Sequence, residues 1–148
     1  MLILYPLFYI KIKESLKMPG TYIAVKPMKI TEDYLSNLYT INHDLHSTLI
    51  HSRKENTIPL VLKPLLIYIF KFIDYDLWGN ILVAKFENSA FRKRHEELMR
   101  LYNFEYDYPK FIPHVTIDYE FDGHMCNLRK IDNELLFSFE YSEELKDE

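Results

Sequence analysis

The sequence predicts a single α+β domain built from two similar β-α-β-β halves. Three observations carry that expectation. Apolar, strand-like runs alternate with amphipathic helical stretches in the same order twice. The openings of the two halves look alike, Tyr-Ile-Ala-Val-Lys at 22–26 and Leu-Val-Ala-Lys-Phe at 82–86. Each opening leads through a helix to a His-x-Thr tripeptide, His46-Ser47-Thr48 and His114-Val115-Thr116. With 148 residues, of which 48% are hydrophobic and 16% aromatic, the chain can bury one full core.

Before the first half, residues 1–10 are apolar and aromatic and 11–17 are basic and polar. This leader is too short to span a bilayer. Its lysines follow the apolar run and Pro6 interrupts it, the reverse of a secretory signal. Met18 stands just before Pro19-Gly20, so 1–17 reads equally as an appendage, an extra strand or a stretch upstream of a second start.

The first half, about 21–76, opens with a strand at 21–26. Thr31 is the expected N-cap of a helix that places Tyr34, Leu35, Leu38 and Ile41 on one face. A strand at 45–51 follows, then a loop with Pro59 and Pro64, then an apolar strand at 66–73. The second half, about 77–142, opens with a turn at Trp78-Gly79-Asn80. It reads as a strand at 81–86, then a helix capped by Ser89 whose stripe is Phe91, His95, Leu98 and Tyr102. In the next strand, 114–121, His114, Thr116, Asp118 and Glu120 alternate with Val115, Ile117, Tyr119 and Phe121. A short helical stretch at 126–131 and a strand at 135–141 complete it, and 143–148 reads as a solvated acidic tail.

A net charge of −4 argues against a general coat for DNA or long RNA, which wants a basic excess, but leaves room for a small anion in a local pocket. The lone Cys126 can make no internal disulfide and there is no CxxC pair, so a reducing cytoplasm is the natural compartment.

Residues two apart on a strand share a side, so each histidine and its threonine would face one surface together. Two such pairs across a cleft would supply two imidazoles and two hydroxyls, a set suited to proton transfer at a phosphodiester without a metal. One imidazole would take the proton of a ribose 2′-hydroxyl while the other, protonated, donates to the leaving 5′-oxygen; which one begins as base is open. Thr48 and Thr116 would donate hydrogen bonds to the non-bridging oxygens. His43 and His51 read as structural, with His51 on the opposite strand face from His46; His95 and His124 read as packing or surface residues. Trp78, the only tryptophan, is a candidate to stack on a base, and Lys26, Arg53 and Lys85 are candidates to attract phosphate. A rival reading places a metal on a His43-Asp44 dyad, without evident further ligands.

The segments Gly-Thr-Tyr-Ile-Ala-Val-Lys (20–26), Leu-His-Ser-Thr-Leu-Ile (45–50) and Pro-His-Val-Thr-Ile (113–117) resemble the two-histidine (2H) phosphoesterase superfamily, and within it the anti-CBASS phosphodiesterases of bacteriophages. The resemblance runs from about residue 21 to 141 and implies a bilobal fold whose sheets line a central cleft. It implies catalysis by His46, Thr48, His114 and Thr116 with neither metal nor cofactor. The substrates implied are the cyclic di- and trinucleotide signals of bacterial immunity, linearised in the host cytoplasm, with no membrane partner and no specified oligomeric state. Tyr22 is carried over as a second stacking residue and Glu143 as one that folds over a bound base. The same residues also suit a 2H enzyme acting on RNA 2′,3′-cyclic phosphate ends or 2′-5′ oligoadenylate, and a cleft that binds without cutting.

Overall fold

The computed structural model describes residues 19–145, so the leader at 1–17 lies outside the described residues. Among these residues six strands and two α-helices appear in the order β1 (Thr21–Pro27), α1 (Lys29–Leu38), β2 (Ser47–Ser52), β3 (Tyr68–Trp78), β4 (Ile81–Glu87), α2 (Ser89–Tyr102), β5 (His114–Asp118) and β6 (Leu135–Glu144), with a 3-10 turn at Met125–Asn127. The α+β class and the twice-repeated β-α-β-β order are as expected.

All strands pair antiparallel in one sheet of order β2-β1-β6-β3-β4-β5. Exchanging each strand of the first half for its counterpart in the second (β1 for β4, β2 for β5, β3 for β6) reverses this order and leaves it unchanged. The halves in sequence are not the halves in space, however. Each lends its last strand to the other: β6 runs beside β1, and β3 beside β4. In strand pairing the two groups join where Tyr68, Ile69 and Phe70 face Phe137, Leu136 and Leu135. There Phe70 stacks on Phe86 and Phe137, which are fully or almost fully buried beneath Phe91 of α2.

Several local expectations need correction. Thr31 is not a cap: α1 starts two residues earlier after extended Met28, and Thr31 instead accepts the Leu136 N–H at 2.7 Å, tying the helix to β6. The cap of α2 is Asn88 rather than Ser89, its side chain accepting the Phe91 N–H at 2.8 Å. The stripe of α2 is buried as predicted and also includes Arg94. β3 runs on to Trp78 before a two-residue turn in which Gly79 takes φ of +64°, a conformation suited to glycine. β6 extends through Glu144, so Glu143 belongs to a strand and not to a tail.

The two halves match one residue away from the alignment of their openings. Thr48 pairs with Ala24 and Thr116 with Val83, so Tyr22 corresponds to Ile81 and Lys26 to Lys85. In both ladders the residue after the threonine, Leu49 or Ile117, is a bulge without a partner of its own.

Candidate active site

β2 and β5 lie at opposite ends of the sheet order, yet they meet at the two His-x-Thr tripeptides. Ser47 donates its hydroxyl to the carbonyl of His114 at 2.7 Å, and His43 donates Nε2–H to the carbonyl of Thr116 at 2.9 Å. Alternation holds around each motif: Ser47 and Val115 are buried, whereas His46, Thr48, His114 and Thr116 are half-buried and line one cleft of about 690 Å³. That size accommodates a nucleotide ligand.

The two histidines are held alike. His46 Nδ1 bonds the carbonyl of Asp44 at 3.1 Å and His114 Nδ1 that of Ile112 at 2.7 Å, in each case the residue two before. A carbonyl only accepts, so Nδ1 carries the hydrogen in both and Nε2 is left with a free lone pair. Burial pushes both imidazoles below the ordinary histidine range, against the raising effect of these carbonyls, and each is lowered a little further by a neighbouring histidine.

Thr48 Oγ1 lies 2.9 Å from the Tyr22 hydroxyl. Burial raises the Tyr22 phenol well above its usual range, so it stays protonated and can donate to Thr48, freeing the threonine proton for a ligand. Trp78 also lines the cleft, edge-on to His114 with ring centroids 4.4 Å apart, and its Nε1–H donates to Asp76 at 3.0 Å. Glu143 is exposed on β6 directly opposite Tyr22 and does not line the cleft itself, although its charge acts on His46 and Tyr22.

The structure brings in residues the sequence reading set aside. His51 lines the cleft, because the bulge at Leu49 shifts the alternation of β2 and turns Thr48 and His51 to the same side. Tyr119 joins for the same reason, through the bulge at Ile117. The connection from α2 to β5 adds Tyr106, Tyr108 and Lys110; its run of tyrosines around Pro109 was the available sequence signal. Of the basic candidates, Lys26 sits over the Tyr141 ring at 4.9 Å and Lys85 pairs with Asp74 at 3.2 Å. Neither they nor Arg53 line the cleft. His43 is structural as expected, and its buried Nδ1 lacks a partner. Among the described residues no three His, Cys, Asp or Glu side chains gather as a metal-ligand set, which leaves the His43-Asp44 dyad without a third ligand there. Among them, too, no helix is long and apolar enough to cross a membrane.

Fold and cleft together define a class of α+β protein in which two repeated units each bring one histidine and one threonine to a shared pocket. The family of anti-CBASS protein Acb1 matches residues 19–148, and the chain belongs to it. The anti-CBASS protein Acb1 of Vibrio phage KVP40 is 28% identical over 123 residues, which cover 74% of this chain and 79% of that protein.

Proposed function

We propose that the protein is a metal-independent phosphodiesterase of the 2H type that linearises cyclic di- and trinucleotides in the host cytoplasm and so lets a phage evade CBASS defence. Family membership supports the anti-CBASS role. The observation that carries the chemistry is the matched seating of His46 and His114, each with Nδ1–H on a carbonyl and Nε2 free, beside Thr48 and Thr116 in one cleft.

One imidazole removes the proton of a ribose 2′-hydroxyl, which attacks the adjacent phosphorus; the other, protonated, gives its proton to the leaving 5′-oxygen. Thr48 and Thr116 donate to the non-bridging oxygens as charge gathers there. The 2′,3′-cyclic phosphate that results is opened by water with the two histidines in exchanged roles. Aromatic walls at Tyr22, Trp78, Tyr106 and Tyr108 give bases surfaces for stacking, each contributing about 1–3 kcal/mol.

The test is incubation with 3′,3′-cyclic GMP-AMP, a cyclic trinucleotide and a 2′,3′-cyclic mononucleotide in EDTA, with products resolved by chromatography. Linear products from the first two are expected. Cleavage that needs added metal, or that proceeds equally fast without the 2′-hydroxyl, rules the mechanism out; binding without turnover makes the protein a sponge.

A further inference from the structure

We propose that His51, held by Asp107, is an anion-binding residue that takes the second phosphate of a cyclic dinucleotide, so that the cleft distinguishes ligands with two phosphodiesters from those with one. This rests on the reading that the cleft accepts cyclic nucleotides. His51 Nδ1 bonds Asp107 Oδ2 at 2.7 Å, the other carboxylate oxygen accepts the Arg53 N–H at 3.1 Å, and the Asp107 N–H donates to the His51 carbonyl at 3.0 Å. These three bonds lock the ring between β2 and the connection that follows α2. Nε2 has no bond to any described residue, on a side chain that lines the cleft.

The histidine is three residues past Thr48, but the bulge at Leu49 takes up one of them: the two stand opposite Tyr22 and Ala24, about 7 Å apart along the strand, so His51 lies beyond the reacting phosphate. The Tyr22 ring is edge-on to both, 5.9 Å from the His46 ring and 6.1 Å from that of His51. Asp107 compensates the charge of an imidazolium, whose Nε2–H can then donate to a phosphate oxygen in a charge-assisted bond. Lys110 adds a second cation to that wall and pairs with no carboxylate among the described residues. At the matching place in the other half stands Tyr119, an uncharged phenol. The two halves are thus alike where bonds would be cut and unlike where a second anion would rest.

The experiment is calorimetric titration of the His114→Ala protein, with and without His51→Gln or His51→Arg, using 3′,3′-cyclic GMP-AMP as the two-phosphate probe and 2′,3′-cyclic AMP as the one-phosphate probe. His51→Gln should weaken the dinucleotide about tenfold relative to the mononucleotide, and His51→Arg should recover most of that loss. Equal losses for both probes, no loss, or no dinucleotide binding at all would overturn the assignment. Wild-type turnover of the dinucleotide is measured in parallel. Selective loss of binding without wild-type turnover upholds His51 and removes the phosphodiesterase reading; turnover with an unchanged binding ratio does the reverse.

Discussion

The side chain of Ser47 donates a hydrogen bond to the backbone carbonyl of His114, 2.7 Å away, joining the middle of one His-x-Thr motif to the head of the other. No ladder pairing links β2 to β5, so this bond and the His43 bond to Thr116 set the spacing of the two histidines. Both donors come from the first half and both acceptors from the second.

Ser47 is fully buried, so Ser47→Ala would leave the His114 carbonyl without its donor in a dry place. A destabilisation of about 1–3 kcal/mol is expected in urea unfolding. Turnover, measured well below the unfolding midpoint, should fall further than the lost stability explains, because the histidines lose their fixed separation. An unchanged midpoint and unchanged kcat would remove the bond from the account.

Replacing His46 or His114 by Ala should lower kcat about 10²–10⁴-fold while leaving the fold intact. Near wild-type turnover in either variant would exclude that residue from proton transfer.

The pH dependence has a definite sign. His46, His95 and His114 all sit below the ordinary value of 6.5 when folded, chiefly through burial. The unfolded chain therefore binds more protons, and the stability these groups contribute is complete above about pH 6.5 and is lost as the pH falls through their folded values. Melting temperature should drop between pH 7 and 5, more steeply in wild type than in a His95→Gln variant. The profile of kcat/KM should peak on the acid side of 6.5, since it needs one imidazole neutral and one protonated.

Thr48→Val and Thr116→Val should each cost about a hundredfold in kcat, the scale of a lost donor to a developing oxyanion. Tyr22→Phe should cost less, because Thr48 keeps its own proton and loses only the phenol that orients it. Steady-state kinetics on one substrate rank the three; a Tyr22→Phe loss exceeding that of Thr48→Val would assign the tyrosine a larger role than orientation.

Arg94 and Glu140 form a buried pair joined by two hydrogen bonds, at 2.8 and 2.7 Å, and Arg94 also reaches Glu97 and the Val61 carbonyl. Arg94→Ala strands the Glu140 charge and should cost about 3–5 kcal/mol in chemical denaturation. Arg94→Met with Glu140→Leu should regain most of it.

The order of elements was legible because hydrophobic period and turn residues are local signals, and the two His-x-Thr motifs stood out because alternation around His46 and His114 is regular. His51 and Tyr119 were not legible. Their assignment depends on bulges at Leu49 and Ile117, and nothing in those residue types marks a bulge; only the register against Ala24 and Val83 reveals it. The exchange of β3 and β6 between halves was hidden as well, because strand partners far apart in sequence leave no trace in period or composition. Glu143 was misplaced through its charge: the exposed C-terminal end of β6 tolerates acidic residues that read as a tail.

The position of β6 also bears on synthesis. This strand is last in the described chain yet lies between β1 and β3, so both neighbours wait with open edges until residue 135 and beyond have been made. Contacts closed across such long stretches of chain form late, at the full entropic cost of the loop. A nascent chain halted before β6 would hold both His-x-Thr motifs and still have unpaired strand edges beside β1 and β3, so the cleft becomes functional only as translation of the sheet is completed.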